Sequence, residues 1–288
     1  MTIQLRPLSY ALGAEVRGLD ITRTVSDADW SVVHGAFLQY GVLLFRGQRL
    51  TREQHIAFSR RFGELDPHES LPSDRDATYP QLLMVTNDPK PDGTPSNSRY
   101  TGQLWHSDLS FTLAPALGSL LRAVEVPPVG GDTMFANMTL AYDALSQRMK
   151  QTIAELHGIH HAERKGAAQA AQWAEENKRL NPPVAQPLVR VHPETGRKAL
   201  YIGEKVKLIE GMTAEESQPI IDFLNRHVTR PQFLYRHTWQ TDDLLIWDNR
   251  CTSHVALGDY DQRLRRHMER TTVLGTPSGH LADLTTQP

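Results

Sequence analysis

Apolar positions in this chain fall into short runs whose period changes along its length. From Ile3 to Ile21, β-type runs are broken by Gly13 and Gly18. Trp30, Val33, Phe37 and Tyr40 then recur at helical spacing behind Ser26, which predicts an N-capped amphipathic helix over Asp27 to Tyr40. Gly41 to Phe45 (GVLLF) predicts a wholly apolar strand, and Thr51 to Phe62 a second helix stopped by Gly63. Met149, Ile153 and Leu156 mark one face of a helix near Ser146 to His157. Another helix is expected near Thr213 to His227. Its start is ambiguous, because Pro219 falls inside a helix capped at Thr213 but near the first turn of one capped at Ser217.

The final third returns to strands. Ala199 to Ile202 is one, and in the next Phe233, Tyr235, His237 and Trp239 alternate with Leu234, Arg236 and Thr238, a period of two that buries one face. Asp243 to Trp247 and Glu269 to Leu274 are further strands. Two polar stretches interrupt the pattern. Residues 66–103 are dense in Pro, Asp, Ser and Gly around the single apolar run Leu82 to Val85, and Glu163 to Asn181 is a second insert; both have the character of lid-like loops. With no repeat and no Pro/Gly linker, a single domain over residues 1–288 is expected, mainly β with helices (α+β). Many short strands with segregated helices suggest a double-stranded β-helix (jelly roll) core with flanking helices.

Composition narrows the function. At 288 residues the chain can bury about three quarters of its unfolded surface, enough for an enzyme core. Its 31 Lys and Arg against 33 Asp and Glu provide no basic field for nucleic acid or anionic membranes, so a small neutral or anionic partner is expected. One cysteine, Cys251, excludes an internal disulfide framework and fits a reducing compartment. No signal-peptide run opens the sequence and nowhere do about 18 apolar residues follow one another, which suggests a cytoplasmic protein.

The strongest local chemistry is Trp105-His106-Ser107-Asp108, entering a strand-like segment Leu109 to Phe111. On a strand, residues two apart share a face, so His106 and Asp108 could meet one ion. A facial triad of two His and a carboxylate leaves positions open and suits Fe(II) oxygenases. The triplet alone is weak, since a chain with 13 His produces such a spacing by chance. His254 lies in Trp247 to Gly275, WDNRCTSHVALGDYDQRLRRHMERTTVLG, ahead of a basic strand. His160-His161 lacks a neighbouring carboxylate and is expected to be an ordinary surface or boundary pair, with opposite-facing rings. Trp105, Trp247 and Phe135 are expected in the core, Gly130-Gly131 in a turn, and Cys251 buried and inert.

Several separated motifs, in order, resemble the taurine and 2,4-dichlorophenoxyacetate dioxygenase family of Fe(II)/2-oxoglutarate-dependent oxygenases: GAEVRGLDI, FRGQ, IAFSRRFGEL, LWHSDLSF, PPVGGDT and the segment just quoted. The resemblance spans nearly the whole chain. It implies His106, Asp108 and His254 as iron ligands, with O2 and 2-oxoglutarate as co-substrates. It also implies Thr133 and an Arg shortly after the distal His as the holders of 2-oxoglutarate. Spacing allows Arg265 or Arg266, and the match of RRHMERTT selects Arg266. A guanidinium binds a carboxylate bidentately and keeps its charge, so the role suits it. Arg270, four residues on, is then the partner of an anionic substrate. His68 and the run Arg99, Tyr100 and Gln103 are its further contacts.

The expected reaction is hydroxylation of a small anionic substrate, an aryloxyalkanoate or related carboxylate, with 2-oxoglutarate converted to succinate and CO2. Alkylsulfonates and sulfate esters are the alternative. Asp108 speaks against a halogenase, since halide would need the position a ligand carboxylate fills. A zinc hydrolase on the same three ligands is a reading from a different class, and a jelly-roll binding module a third. A homo-oligomer, dimer or tetramer, is expected.

Overall fold

Residues 2–68, 75–89, 93, 96, 102–162 and 181–283 are described by a computed structural model. In chain order the elements are β1 (Gln4–Pro7), β2 (Ala14–Arg17), α1 (Asp27–Tyr40), β3 (Val42–Phe45), α2 (Arg52–Ser59), β4 (Leu83–Thr86), β5 (Gly118–Glu125), β6 (Thr133–Asn137), α3 (Met138–Asp143) and α4 (Gln147–Ile153). There follow β7 (His157–His160), β8 (Val184–Pro187), β9 (Val189–Val191), β10 (Lys198–Leu200), β11 (Val206–Ile209), α5 (Ala214–Val228), β12 (Leu234–His237), β13 (Leu244–Asp248), β14 (Thr252–Ala256), β15 (His267–Val273) and β16 (His280–Leu281). The architecture is mixed α+β and rich in sheet. The larger part of the second insert, 163–180, lies outside the described residues, as do Arg99 and Tyr100.

The helix starts follow local chemistry. Ser26 accepts from the Asp29 amide and Gly41, at φ 68°, ends α1 with its N–H on Phe37 O. Thr51 and Gln54 form a capping box for α2, which stops at Ser59. For α5 the ambiguity resolves to Thr213. Thr213 and Glu216 satisfy two orphan donors reciprocally, and the helix carries Pro219 inside it.

Seven strands form the main sheet in the order β1-β2-β3-β13-β5-β15-β4, all antiparallel pairs except β2 with β3. Its central strands are buried throughout because both faces are covered. On one face Leu43, Phe45, Leu120, Leu244 and Ile246 pack with Val33 and Phe37 of α1 and with Ile56 and Phe58 of α2. Toward the other face Val42, Leu44, Leu121, Leu245, Trp247 and Met268 pack with Phe135 of β6 and with Trp239. Phe135 belongs to a three-stranded sheet ordered β12-β6-β14, so the second core lies between two sheets. Ser119 shares the parity of Leu121 on β5, and Arg270 that of Met268 on β15, which aims both at this inter-sheet space.

Candidate metal centre

The site forms at the seam between the two sheets. His106 and His254 make an isolated antiparallel bridge, with His106 N–H on His254 O at 3.0 Å and His254 N–H on His106 O at 2.8 Å. Direct cross-strand neighbours carry their side chains on one face, and the rings stand 4.2 Å apart between centroids. Asp108 arrives differently from the strand expected over Leu109 to Phe111. There the chain turns: Leu109 has φ 53° and Thr112 N–H bonds Leu109 O at 3.0 Å. Leu109 in the left-handed region cannot continue a strand, and the turn swings the Asp108 carboxylate back toward the two imidazoles.

Asp108 Oδ1 lies 3.7 Å from His106 Nε2 and Oδ2 3.8 Å from His254 Nε2. One ligand atom from each of the three residues falls within 4.8 Å of the others. His106 Nδ1 sits 2.7 Å from Leu104 O, so its proton belongs there and Nε2 is left as a donor atom for a metal. Burial and the neighbouring His106 push the His254 imidazole well below its ordinary pKa, toward the neutral form a metal binds. Phe135 and Trp247 stand 5.9 Å and 4.7 Å from the His254 ring, so these two core residues also fix a site side chain. Burial alone would raise the Asp108 carboxyl. The Arg270 guanidinium and both imidazoles overcome it and hold Asp108 well below the usual range. Two imidazoles, that of His254 held toward its neutral form, and one ionised carboxylate on a single spot fit a divalent iron-type ion.

Around this cluster the other expected residues are placed unevenly. Arg266 is buried, with Nε 3.2 Å from Gly131 O and no carboxylate in ion-pair distance among the described residues. Burial lowers its pKa, only partly offset by Tyr260 and Asp132. Thr133, also buried, begins β6 two residues beyond Gly131, and its Oγ1 accepts from Trp239 Nε1 at 3.0 Å. Its own proton is thereby free to donate. Arg265 points outward to Asp88 and Glu125. Arg270, expected to face a substrate anion, donates from Nη1 to Asp108 Oδ1 at 2.7 Å.

His68 is buried at φ 53°, with Nδ1 3.2 Å from Asp66 Oδ2, and the Arg270 charge also reaches Asp66. Gln103 is exposed and lies over Gly258. Tyr100 is outside the described residues.

Two further groups bear on the site. His160 is not a surface residue: it is buried, its ring 5.4 Å from Tyr201, and with Tyr201, Ser110 and Lys205 it lines a small cavity beside His106. The pairing of β7 with β11, which sets His160 opposite Val206, buries it. Burial beside Lys205 and Arg190 pushes its pKa down to about 3. A second potential metal cluster, His192, Asp248 and Cys251, is already saturated. Asp248 accepts from Arg250 Nε and Nη2 at 2.8 and 2.7 Å and pairs with His192 Nε2 at 3.0 Å. Cys251 is partly buried, and its thiol is pushed up by burial and by Asp248, which keeps it unreactive.

A sheet sandwich with two histidines and one carboxylate at its seam is the geometry of a metal-dependent enzyme, and the family match makes it an oxygenase. The profile of the taurine catabolism dioxygenase TauD, TfdA family matches residues 4–272, and the chain belongs to that family. An alpha-ketoglutarate-dependent 2,4-dichlorophenoxyacetate dioxygenase from Burkholderia sp. (strain RASC) is 36% identical over 284 residues, covering 96% of this chain and 95% of that one. An (S)-phenoxypropionate/alpha-ketoglutarate dioxygenase from Sphingobium herbicidovorans is 33% identical, covering 96% and 97%. The crystal structure of AAD-2 in complex with Mn(II) and N-oxalylglycine superposes with a TM-score of 0.80 at 35% identity, covering 96% and 99%. The family resemblance and the oxidoreductase class expected from the sequence hold, and the hydrolase and binding-module alternatives fall away. No described helix is long and apolar enough to cross a membrane.

Proposed function

We propose that this chain is an Fe(II)- and 2-oxoglutarate-dependent dioxygenase that hydroxylates a small anionic organic substrate, an aryloxyalkanoate or related carboxylate. The observation that carries the reading is the convergence of His106, Asp108 and His254 at the seam of the sheets. Iron with O2 supplies the oxidising chemistry, as 2-oxoglutarate becomes succinate and CO2 and the substrate gains a hydroxyl.

The chain's own part is to hold, orient and exclude water. Arg266 meets the far carboxylate of 2-oxoglutarate with a buried guanidinium that has no acidic partner among the described residues, and Thr133 adds a hydroxyl proton. Arg270 and His68 meet the substrate anion, with the Arg270 guanidinium shared between that anion and Asp108. The named activities of the relatives favour aryloxyalkanoates over sulfonates or sulfate esters. The two packed sheets serve as the walls of a double-stranded β-helix, with the chain as one catalytic domain. A cytoplasmic homo-oligomer, dimer or tetramer, completes the reading.

Anaerobic titration with Fe(II) and 2-oxoglutarate tests it. The expected result is a visible charge-transfer band that shifts when a fitting carboxylate is added, and no band with the wild-type protein would refute the reading. Products then separate the substrate classes, because an aryloxyacetate releases a phenol and glyoxylate while a sulfonate releases sulfite.

A further inference from the structure

Beyond the three candidate ligands, a chain of fully buried hydrogen bonds runs from β13 to the Asp108 carboxylate, and its polarity has one solution. Asn249 Oδ1 lies 3.1 Å from Asp108 N and 3.1 Å from Trp247 Nε1. Both partners can only donate, so this end of the amide is the oxygen. The other end, Nδ2, lies 3.0 Å from Ser119 Oγ and must donate to it. The Ser119 hydroxyl, with one proton and one lone pair already used by the amide, then points that proton at Asp108 Oδ2, 2.7 Å away. Ser119 and Asn249 are both fully buried, so no water competes for these bonds.

We propose that Asn249 and Ser119 are positioning residues for the metal-binding carboxylate, with the amide fixing the direction of the hydroxyl and the hydroxyl fixing the rotation of Asp108. This rests on the metal reading above. The opposing pull is visible. Arg270 draws on Oδ1 at 2.7 Å, so without Ser119 the carboxylate would be held from one side only. The Asn249 backbone is anchored independently, its N–H bonding Leu117 O at 2.9 Å just before β5. Gly118 lets β13 approach closely here, since a Cβ at that position would lie 2.9 Å from Trp247 O. The relay thus joins Ser119 on β5 to Asn249 in the turn directly after β13, the adjacent strand of the main sheet, and that turn is pinned by the backbone bond to Leu117, the kind of rigid support a ligand needs. Outer-shell partners of this type commonly contribute one to two orders of magnitude in metal affinity.

The test is Co(II) binding by the full chain without 2-oxoglutarate, followed by calorimetry and by the visible d–d spectrum, for wild type, Ser119→Ala, Asn249→Ala and the double variant. Ser119→Ala should weaken Co(II) by about tenfold or more and change the d–d spectrum in a protein that still folds, at a Tm lowered by the unpaired Asn249 amide and Asp108 oxygen. The double variant should bind no more weakly than the weaker single variant, because the two residues act in series. Wild-type Co(II) affinity and spectrum in a folded Ser119→Ala protein would overturn the relay, as would strictly additive losses. If Asn249→Ala does not fold, the Ser119→Ala affinity and spectrum decide alone. Failure of the wild-type protein itself to bind Co(II) would overturn the metal reading and this inference with it.

Discussion

Arg270 Nη1 lies 2.7 Å from Asp108 Oδ1, so a candidate metal ligand and a candidate substrate clamp form one buried ion pair. A buried pair is worth little relative to an apolar replacement, yet removing one partner leaves the other charge uncompensated. The sheet places them together: Arg270 follows Met268 on the inward face of β15, and the turn at Leu109 brings Asp108 to meet it.

Arg270→Leu should therefore destabilise the metal-free protein by about 3 to 5 kcal/mol. A bound cation would supply the missing compensation, so Mn(II) should raise Tm more in the variant than in the wild type. Thermal melts with and without Mn(II) measure this. Equal Mn(II)-induced shifts would show that the ion pair contributes nothing to holding Asp108.

Arg266 presents the converse case, a buried guanidinium bonded to Gly131 O and lacking an acidic partner among the described residues. Arg266→Ala should leave the ligand-free Tm close to wild type and abolish most of the Tm rise produced by 2-oxoglutarate or N-oxalylglycine. Loss of one partner of a buried charge pair costs about 2 kcal/mol or more, so affinity should fall about thirtyfold or more. Arg266→Lys should recover part of it. An unchanged ligand-induced shift in Arg266→Ala would move the clamp elsewhere.

Stability should depend on pH through buried histidines. His55 packs against the main sheet with Nε2 3.2 Å from Leu120 O, and burial, with Arg122 nearby, pushes its pKa from 6.5 down to about 3. Between those values the unfolded chain binds a proton that the folded chain refuses. Stability thus rises with pH across this window and falls as pH drops from 6.5, by up to about 1.4 kcal/mol per pH unit from this residue. Urea unfolding of the metal-free protein between about pH 7.5 and 5, where carboxylates remain ionised, isolates the effect. His55→Gln should flatten the slope, and an identical slope in both proteins would assign the dependence to other histidines.

Features set by neighbouring residues were legible in the sequence, and those set by distant pairing were not. Ser26 and Thr51 cap the helices that the spacing predicts, and the Val42–Phe45 strand lies where an apolar run places it. His106 and Asp108 do share a site, although through a bridge to His254 and a turn rather than along one strand. Ser119 and Asn249 could not be found this way. They stand 11 and 141 positions from Asp108 and match no spacing rule for a metal site. Asn249 was visible only as part of WDNR, without a role. His160 looked like a surface or boundary residue because its burial depends on pairing with Val206 of β11, 46 positions on, which no local period encodes. Arg270 enters as a substrate contact through the family resemblance, and its ion pair with Asp108, 162 positions away, is not encoded in any local spacing.

The Gly130-Gly131 turn ties backbone conformation to Arg266, the proposed clamp for 2-oxoglutarate. Both residues have positive φ, 78° and 68°, and the turn is held by Gly131 N–H on Asp259 Oδ1 at 3.1 Å and by Leu257 N–H on Asp132 O at 2.8 Å. The two positions differ in what a methyl would meet. At Gly131 a Cβ would lie 3.2 Å from Arg266 Nε and 3.3 Å from Pro127 Cγ, both side-chain atoms, while at Gly130 it would overlap Asp259 O, which is backbone. Each substitution also incurs about 1 to 2 kcal/mol for a left-handed L residue. Gly131→Ala should therefore fold, displace the guanidinium by a few tenths of an ångström and weaken N-oxalylglycine binding while leaving Mn(II) affinity intact. Gly130→Ala should lower Tm further, because the turn must part from the 257–259 segment to relieve the clash. Isothermal titration of both variants with Mn(II) and then N-oxalylglycine separates the effects. Wild-type N-oxalylglycine affinity in Gly131→Ala would mean that the Arg266 position seen beside Gly131 is not the one that binds the carboxylate.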